Sequence, residues 1–237
     1  MKILGITGGT GCGKTTLLRC VERHGGEVID CDALYHALLH TDTALLEAIS
    51  ARFSGVVTDG ELNRKALGKL VFADEAALRD LNSITHGAVC RAVRARLNLA
   101  RERGCELAAV DAIALFESGL ARLCDCTVAV TAPRSARIER LMRREGISEA
   151  YAAQRIAAQK SNAEFSEMSD FTLQNSGTIA EFEEQCEQFL KGVISMSNKY
   201  DGLRKEVLFA PKNGYDRISE ADLAEMEPYC KDYIDFI

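Results

Sequence analysis

The 237-residue chain contains no apolar run long enough to span a membrane, which argues against an integral helical membrane protein. It also has no excess of positive charge: 29 Lys and Arg stand against 35 Asp and Glu, a formal net charge of −6. That balance argues against a protein that coats nucleic acid or an anionic membrane. Nine cysteines are present, but scattered singly and odd in number. Cys124-x-Cys126 is the closest pair, and no C-x-x-C or Cys/His spacing offers a zinc site. Free, mostly buried thiols in a reducing cytoplasm are the expectation. There is no internal repeat and no low-complexity segment, and Met1-Lys2 leads straight into an apolar stretch rather than a signal peptide. What remains is 47% hydrophobic and 27% charged residues, an ordinary globular composition at a length that suits one domain, or one with a small appendage.

The informative stretch comes first. Ile3 to Ile6 reads as a buried strand, and it runs into Gly8-x-x-x-x-Gly13-Lys14-Thr15 and then into Thr16-Leu-Leu-Arg-Cys-Val21, apolar at helical spacing. Strand, glycine-rich loop and helix are the context a phosphate-binding loop requires. Gly8, Gly9, Gly11, Cys12 and Gly13 let successive N–H groups turn toward one anion at the positive end of the following helix. Lys14 is expected to reach the β- and γ-phosphates, Thr15 to ligate Mg²⁺, and Thr16 to complete the cradle. A bound nucleoside triphosphate follows. Cys12 reads first as a small residue tolerated in the loop; its place near a helix N-terminus, where a thiol pKa tends to fall, raises the second reading of an oxidisable thiol that ATP protects.

Four more strands are expected: Glu27 to Asp30, Leu107 to Asp111, Thr127 to Thr131 and Phe171 to Gln174. Alternating with helices, they predict an α/β fold, a P-loop parallel five-stranded sheet with helices on both faces and ligands at the strands' carboxyl ends. Asp30-Cys31-Asp32 leaves the second strand beside the loop, where Asp32 can act as a base, as an N-cap, or as both. Residues from about 33 to 103 are almost all helical, a substrate-binding insertion rather than a simple crossover. Its Arg91, Arg94, Arg96, Arg101 and Arg103 read as a solvated face. Asp111 ends its strand as a magnesium-holding acid would, acting through water, or serves as a structural cap. Pro133 opens a helix on which Arg137, Arg140 and Arg144 lie three and four apart. That cationic face suits a lid over a transferring phosphoryl group, within a lid region of about 137–160. Ser148 caps the next helix, and Ile179 to Val193 forms the last helix of a domain ending near 195.

Taken together, Thr7 to Thr15, Val28-Ile-Asp-Cys-Asp32, Asp59-Gly-Glu-Leu-Asn-Arg64, Leu81-Asn-Ser-Ile-Thr-His86, Leu115-Phe-Glu117, Arg140 to Arg144, Arg155-Ile-Ala-Ala-Gln159 and Asp170 to Gly177 resemble the dephospho-CoA kinases, in order over about residues 1–190. The resemblance implies transfer of the ATP γ-phosphoryl group, with Mg²⁺, to the ribose 3′-hydroxyl of dephospho-coenzyme A. It implies Asp32 as the base, aided by Lys14 and Arg140, with Arg140 and Arg144 in the lid. Arg64, His86, Leu115, Glu117 and Gln159 would line the acceptor side, while Asn175 and Gly177 would lie near the adenine. His86, on a long helix, also reads as a core histidine. The chain departs from the family's usual pattern at Cys12 for Ser, Gly87 for Pro, Ile113-Ala114 for Pro-Leu and Arg137 for Gln. The change at Ile113-Ala114 puts the acceptor wall in question.

Other small-molecule kinases share the loop and lid but not the Leu81-to-His86 and Leu115-to-Glu117 signatures. Asn198-Lys-Tyr-Asp201 spells a guanine-reading pattern, yet no D-x-x-G accompanies it, so a GTP switch is a weaker reading. From Met196 the character changes: Tyr200, Phe209, Tyr215, Tyr229, Tyr233 and Phe236 crowd the end, and a helix is expected from Ile218. Residues 196–237 read as an extension that faintly resembles the leader of a zinc aminopeptidase family, without metal ligands.

Overall fold

In the computed structural model, residues 1–58 and 60–197 are described. The expectations for Asp59, for Asn198 to Asp201 and for the aromatic-rich extension with its helix from Ile218 fall outside them. The first strand, β1 (Lys2–Thr7), leads to α1 (Lys14–Arg23), β2 (Glu27–Asp30), α2 (Cys31–Thr41) and α3 (Thr43–Arg52). A short antiparallel hairpin, β3 (Val57–Thr58) and β4 (Glu61–Leu62), precedes α4 (Arg64–Ala73) and the long α5 (Glu75–Glu102). Then come β5 (Leu107–Asp111), β6 (Cys126–Thr131), α6 (Arg134–Glu145), α7 (Glu149–Ala157), α8 (Asn162–Met168), β7 (Phe171–Gln174) and α9 (Ile179–Ser197). The domain boundary expected near 195 therefore falls inside α9.

The main sheet has the order β2-β5-β1-β6-β7, and every neighbouring pair is parallel. All five expected strands are present, and both faces of the sheet are buried. Alternation along β1 and β5 sends Leu4, Ile6, Leu107 and Ala109 to one face, packed against Leu17 and Val21 of α1 and Phe182, Cys186 and Leu190 of α9. Ile3, Ala108 and Val110 face the other way, toward Val89, Val93 and Leu97 of α5. The helical insertion has a core of its own around Leu45, Ile49, Phe53, Leu67 and Val71. So does the α6–α7 pair, through Ile138, Leu141, Ala152 and Ile156.

Helix starts follow local chemistry. Asn63, Asp74 and Ser148 accept backbone N–H bonds at the starts of α4, α5 and α7. The unexpected α8 opens with a capping box, Ser161 and Glu164 satisfying each other's backbone donors. At α2 the cap is Asp30, which accepts from the N–H groups of Asp32 and Ala33. Asp32 lies inside the helix, so its reading as the N-cap is corrected. Among the described residues no helix is long and apolar enough to cross a membrane.

Candidate active site

The carboxyl ends of the five parallel strands converge on one region. β1 delivers the loop 8–13, β2 ends in Asp30 beside Asp32, and β5 ends in Asp111, the register partner of Asp30. β6 leads to α6, and β7 leads to Asn175. The loop glycines are there for space and for backbone conformation. Gly8, Gly11 and Gly13 have φ of 135°, 81° and 105°. A Cβ on Gly8 would stand 2.2 Å from the Val130 carbonyl oxygen, and one on Gly13 would stand 2.2 Å from the Asn175 amide.

The loop's carbonyl groups are held by donors from elsewhere in the fold. Lys14 Nζ donates to the Gly8 carbonyl at 3.0 Å. Arg137 Nε donates to the Thr10 carbonyl at 2.9 Å, and Arg140 donates to that of Gly11 at 3.2 Å. Asn175 Nδ2 donates to the Cys12 carbonyl at 2.9 Å, while its Oδ1 accepts from Arg140 at 3.0 Å. With these carbonyls engaged, the loop can turn amides toward an anion ahead of α1. Thr15 is exposed at the start of that helix, and Thr16 is half-buried.

Lys14 Nζ lies 3.9 Å from Asp111 Oδ1, a buried carboxylate oxygen with no hydrogen-bond partner. Burial pushes the Asp111 carboxyl up to about 6; Lys14 opposes that rise, and Asp30 and Asp32 reinforce it. Asp32 is exposed, and its carboxylate makes no hydrogen bond among the described residues. Three carboxylates and one ammonium thus meet beside the loop. An orphaned buried oxygen of this kind fits a cation's hydration shell.

The raised Asp111 pKa carries a stability cost with a definite sign. A carboxyl that ionises near 6 in the fold and near 3.8 in the unfolded chain leaves stability intact below 3.8 and erodes it as pH rises through 6. The difference amounts to about 3 kcal/mol by pH 8. Asp111→Asn is therefore expected to raise the melting temperature at pH 8 and leave it nearly unchanged at pH 4, while magnesium-dependent turnover falls. Calorimetry at the two pH values reads the first effect and a rate assay the second.

A cleft of about 500 Å³ is lined by Arg79, Asn82, Ser83, His86, Gly87, Glu117 and Ser118. His86 is half-buried on its rim, not in the core, and burial lowers its pKa. Glu117 forms an ion pair with Lys160, just past α7. Arg64 is exposed at the start of α4, 3.1 Å from His36 Nδ1.

Several expectations are met differently. Leu115 is fully buried in the core beneath this wall, out of reach of a ligand. Gln159 turns to the loop: its Oε1 accepts from the Thr10 N–H at 2.9 Å, and its Nε2 donates to the Thr10 hydroxyl at 2.7 Å. Asn175 is 5% exposed with its amide spent on Cys12 and Arg140, so it braces the loop. Gly177 lies in the exposed turn after β7. Arg144 is exposed and paired with Glu145, whereas Arg137 is buried. Cys12 is fully buried and its thiol is pushed up by that burial, which outweighs Lys14 and the adjacent helix end. Burial therefore sides with the favoured reading, a small residue tolerated in the loop, against the oxidisable thiol. Thr10, His36 and Lys160 carried no local signal, because each acquires its partner from a distant part of the chain.

Known proteins share the family signature and the fold. The family model described as dephospho-CoA kinase matches residues 2–181. A dephospho-CoA kinase of Anaeromyxobacter dehalogenans is 42% identical over 179 residues, 75% of this chain and 85% of that protein. A crystal structure from Thermus thermophilus superposes with a TM-score of 0.67 at 30% identity, over 82% of this chain and 97% of that one. The dephospho-CoA kinase of Campylobacter jejuni shares the fold, with a TM-score of 0.60 at 23% identity, over 83% and 100%.

Proposed function

The chain belongs to the dephospho-CoA kinase family, and from that premise we propose how its own residues carry the reaction. The reaction transfers the ATP γ-phosphoryl group to the ribose 3′-hydroxyl of dephospho-coenzyme A, giving coenzyme A and ADP. The loop amides and Lys14 hold the triphosphate, and Thr16 completes the cradle at the positive end of α1. Asp32, whose carboxylate makes no hydrogen bond among the described residues, accepts or orients the proton of the 3′-hydroxyl. Its place one residue past Asp30 at the end of β2, at the same end of the sheet as the loop and near enough for its charge to raise the Asp111 pKa, is the observation that carries this assignment.

Thr15 and Asp111 would hold Mg²⁺, the latter through water. When bound, the ion offsets charge on the phosphate oxygens. Arg140 fixes the loop through Gly11 and Asn175, and Arg144 is the freer lid cation. His86 and Glu117 receive the acceptor in the cleft beside α5, and Arg64, exposed at the start of α4, supplies a further cation to it. Gly177, in the turn after β7, lies on the adenine side. Inward movement of the helical insertion and the α6–α7 pair would exclude water, which otherwise competes for the phosphoryl group. The negative net charge supports a small-molecule substrate with no nucleic acid or membrane partner, in a cytoplasm that keeps the free cysteines reduced.

The test is product formation. With ATP, Mg²⁺ and dephospho-coenzyme A, the protein is expected to form coenzyme A, and to leave adenosine and shikimate unphosphorylated. Phosphorylation of either control acceptor at a rate equal to that of dephospho-coenzyme A would overturn the acceptor assignment.

A further inference from the structure

Arg137 is 3% exposed, yet no carboxylate pairs with it among the described residues. A buried guanidinium without a counter-charge is costly, and burial lowers its pKa accordingly. The two hydrogen bonds its side chain makes among the described residues serve one place. Nε holds the Thr10 carbonyl at 2.9 Å, and one terminal nitrogen holds Gln159 Oε1 at 2.8 Å. That same Oε1 receives the Thr10 N–H, and the Gln159 amide donates to the Thr10 hydroxyl. Every polar group of Thr10 named here is therefore gripped, from α6 on one side and from just past α7 on the other. The fit is close: a Cβ on Gly9 would stand 2.1 Å from the guanidinium, and one on Gly11 would stand 3.0 Å from the Arg137 carbonyl.

We propose that Arg137 is a positioning residue for nucleotide binding, which with Gln159 fixes the crest of the phosphate loop at Thr10 and keeps a buried charge whose counter-ion is the incoming triphosphate. The hydrogen bonds account for where the loop stands. The missing carboxylate accounts for why a cation stands behind it, because an anionic ligand compensates that charge only while it is bound. The apoprotein consequently bears a cost that ATP removes, and removal of the charge should separate stability from affinity.

The inference rests on the loop's proposed role as the triphosphate site, and its test needs no acceptor. ATP·Mg binding to the full chain is titrated by calorimetry, and melting is followed with and without ATP. Arg137→Met is expected to bind ATP about tenfold or more weakly and to lose most of the ATP-dependent rise in melting temperature. Its apo melting temperature should be unchanged or higher. The KM for ATP should rise by a similar factor while kcat changes by less than about threefold. Arg137→Lys, which keeps the charge, should recover part of the affinity. If Arg137→Met does not fold, Arg137→Gln (a donor without the charge) takes its place with the same expected loss. Wild-type ATP affinity in a folded, charge-free variant would overturn the proposal, as would a lowered apo melting temperature with an undiminished ATP-dependent rise. Failure of the wild type to phosphorylate dephospho-coenzyme A while it still binds ATP would instead count against the acceptor reading.

Discussion

Lys14→Ala is expected to lower turnover on dephospho-coenzyme A by about a hundredfold or more while leaving the fold intact. In the protein without nucleotide, the ammonium spans the loop, donating to the Gly8 carbonyl at 3.0 Å and standing 3.9 Å from Asp111. It is the point charge best placed to meet the β- and γ-phosphates, whose negative charge redistributes as the phosphoryl group transfers. Alanine removes that charge and also the one cation that opposes the rise of the Asp111 pKa. Asp111 then holds its proton to higher pH, which further weakens any magnesium site built on it. The cores under the sheet do not involve the ammonium, so far-ultraviolet circular dichroism should match the wild type. Steady-state rates across pH 6 to 9 would read both losses, the second as a shift of the acid limb toward higher pH.

Asp32→Asn should cost a comparable hundredfold in turnover with little cost in stability. The reason lies in the division of labour between two acids one residue apart. Asp30 holds the first N–H groups of α2, so replacing Asp32 uncaps nothing. What is lost is one negative charge in the first helical turn, worth no more than about 1 kcal/mol. ATP binding should be retained, since the Asp32 side chain makes no hydrogen bond or ion pair with the loop among the described residues. A melting temperature near that of the wild type, an unchanged ATP titration and a collapsed rate form the expected triad of results. Full activity in this variant would remove Asp32 as the base.

The sheet was readable because each strand is a short apolar run that stops at a punctuating residue, as Glu27 to Asp30 and Leu107 to Asp111 do. Both faces are covered, so the runs need no alternation to be recognised. The loop was legible for a related reason: its glycines and lysine work through local backbone geometry. What escaped was the direction of side chains. Spacing puts Arg137, Arg140 and Arg144 on one helix face, but only packing turns Arg137 inward to Thr10 and leaves Arg144 in solvent with Glu145. Gln159 and Asn175 fall under the same rule, their amides reaching loop groups about 150 residues away in sequence. At Cys12 a local rule, the helix N-terminus, raised a reactive thiol as the second reading, and burial among side chains of β6 and α9 counts against it. The helix α8 could have been found from Ser161-x-x-Glu164 alone, since a capping box is a local signature.

The account depends on a triphosphate held by the loop amides with its terminal phosphorus in line between the leaving oxygen and the ribose 3′-oxygen, and with Asp32 beside that oxygen. A crystal structure of the chain with a non-hydrolysable ATP analogue and dephospho-coenzyme A measures this directly. The predicted result is an Asp32 carboxylate oxygen within about 3 Å of the 3′-oxygen, directly or through one water. A closed complex in which Asp32 faces away and another side chain holds the 3′-oxygen would contradict it.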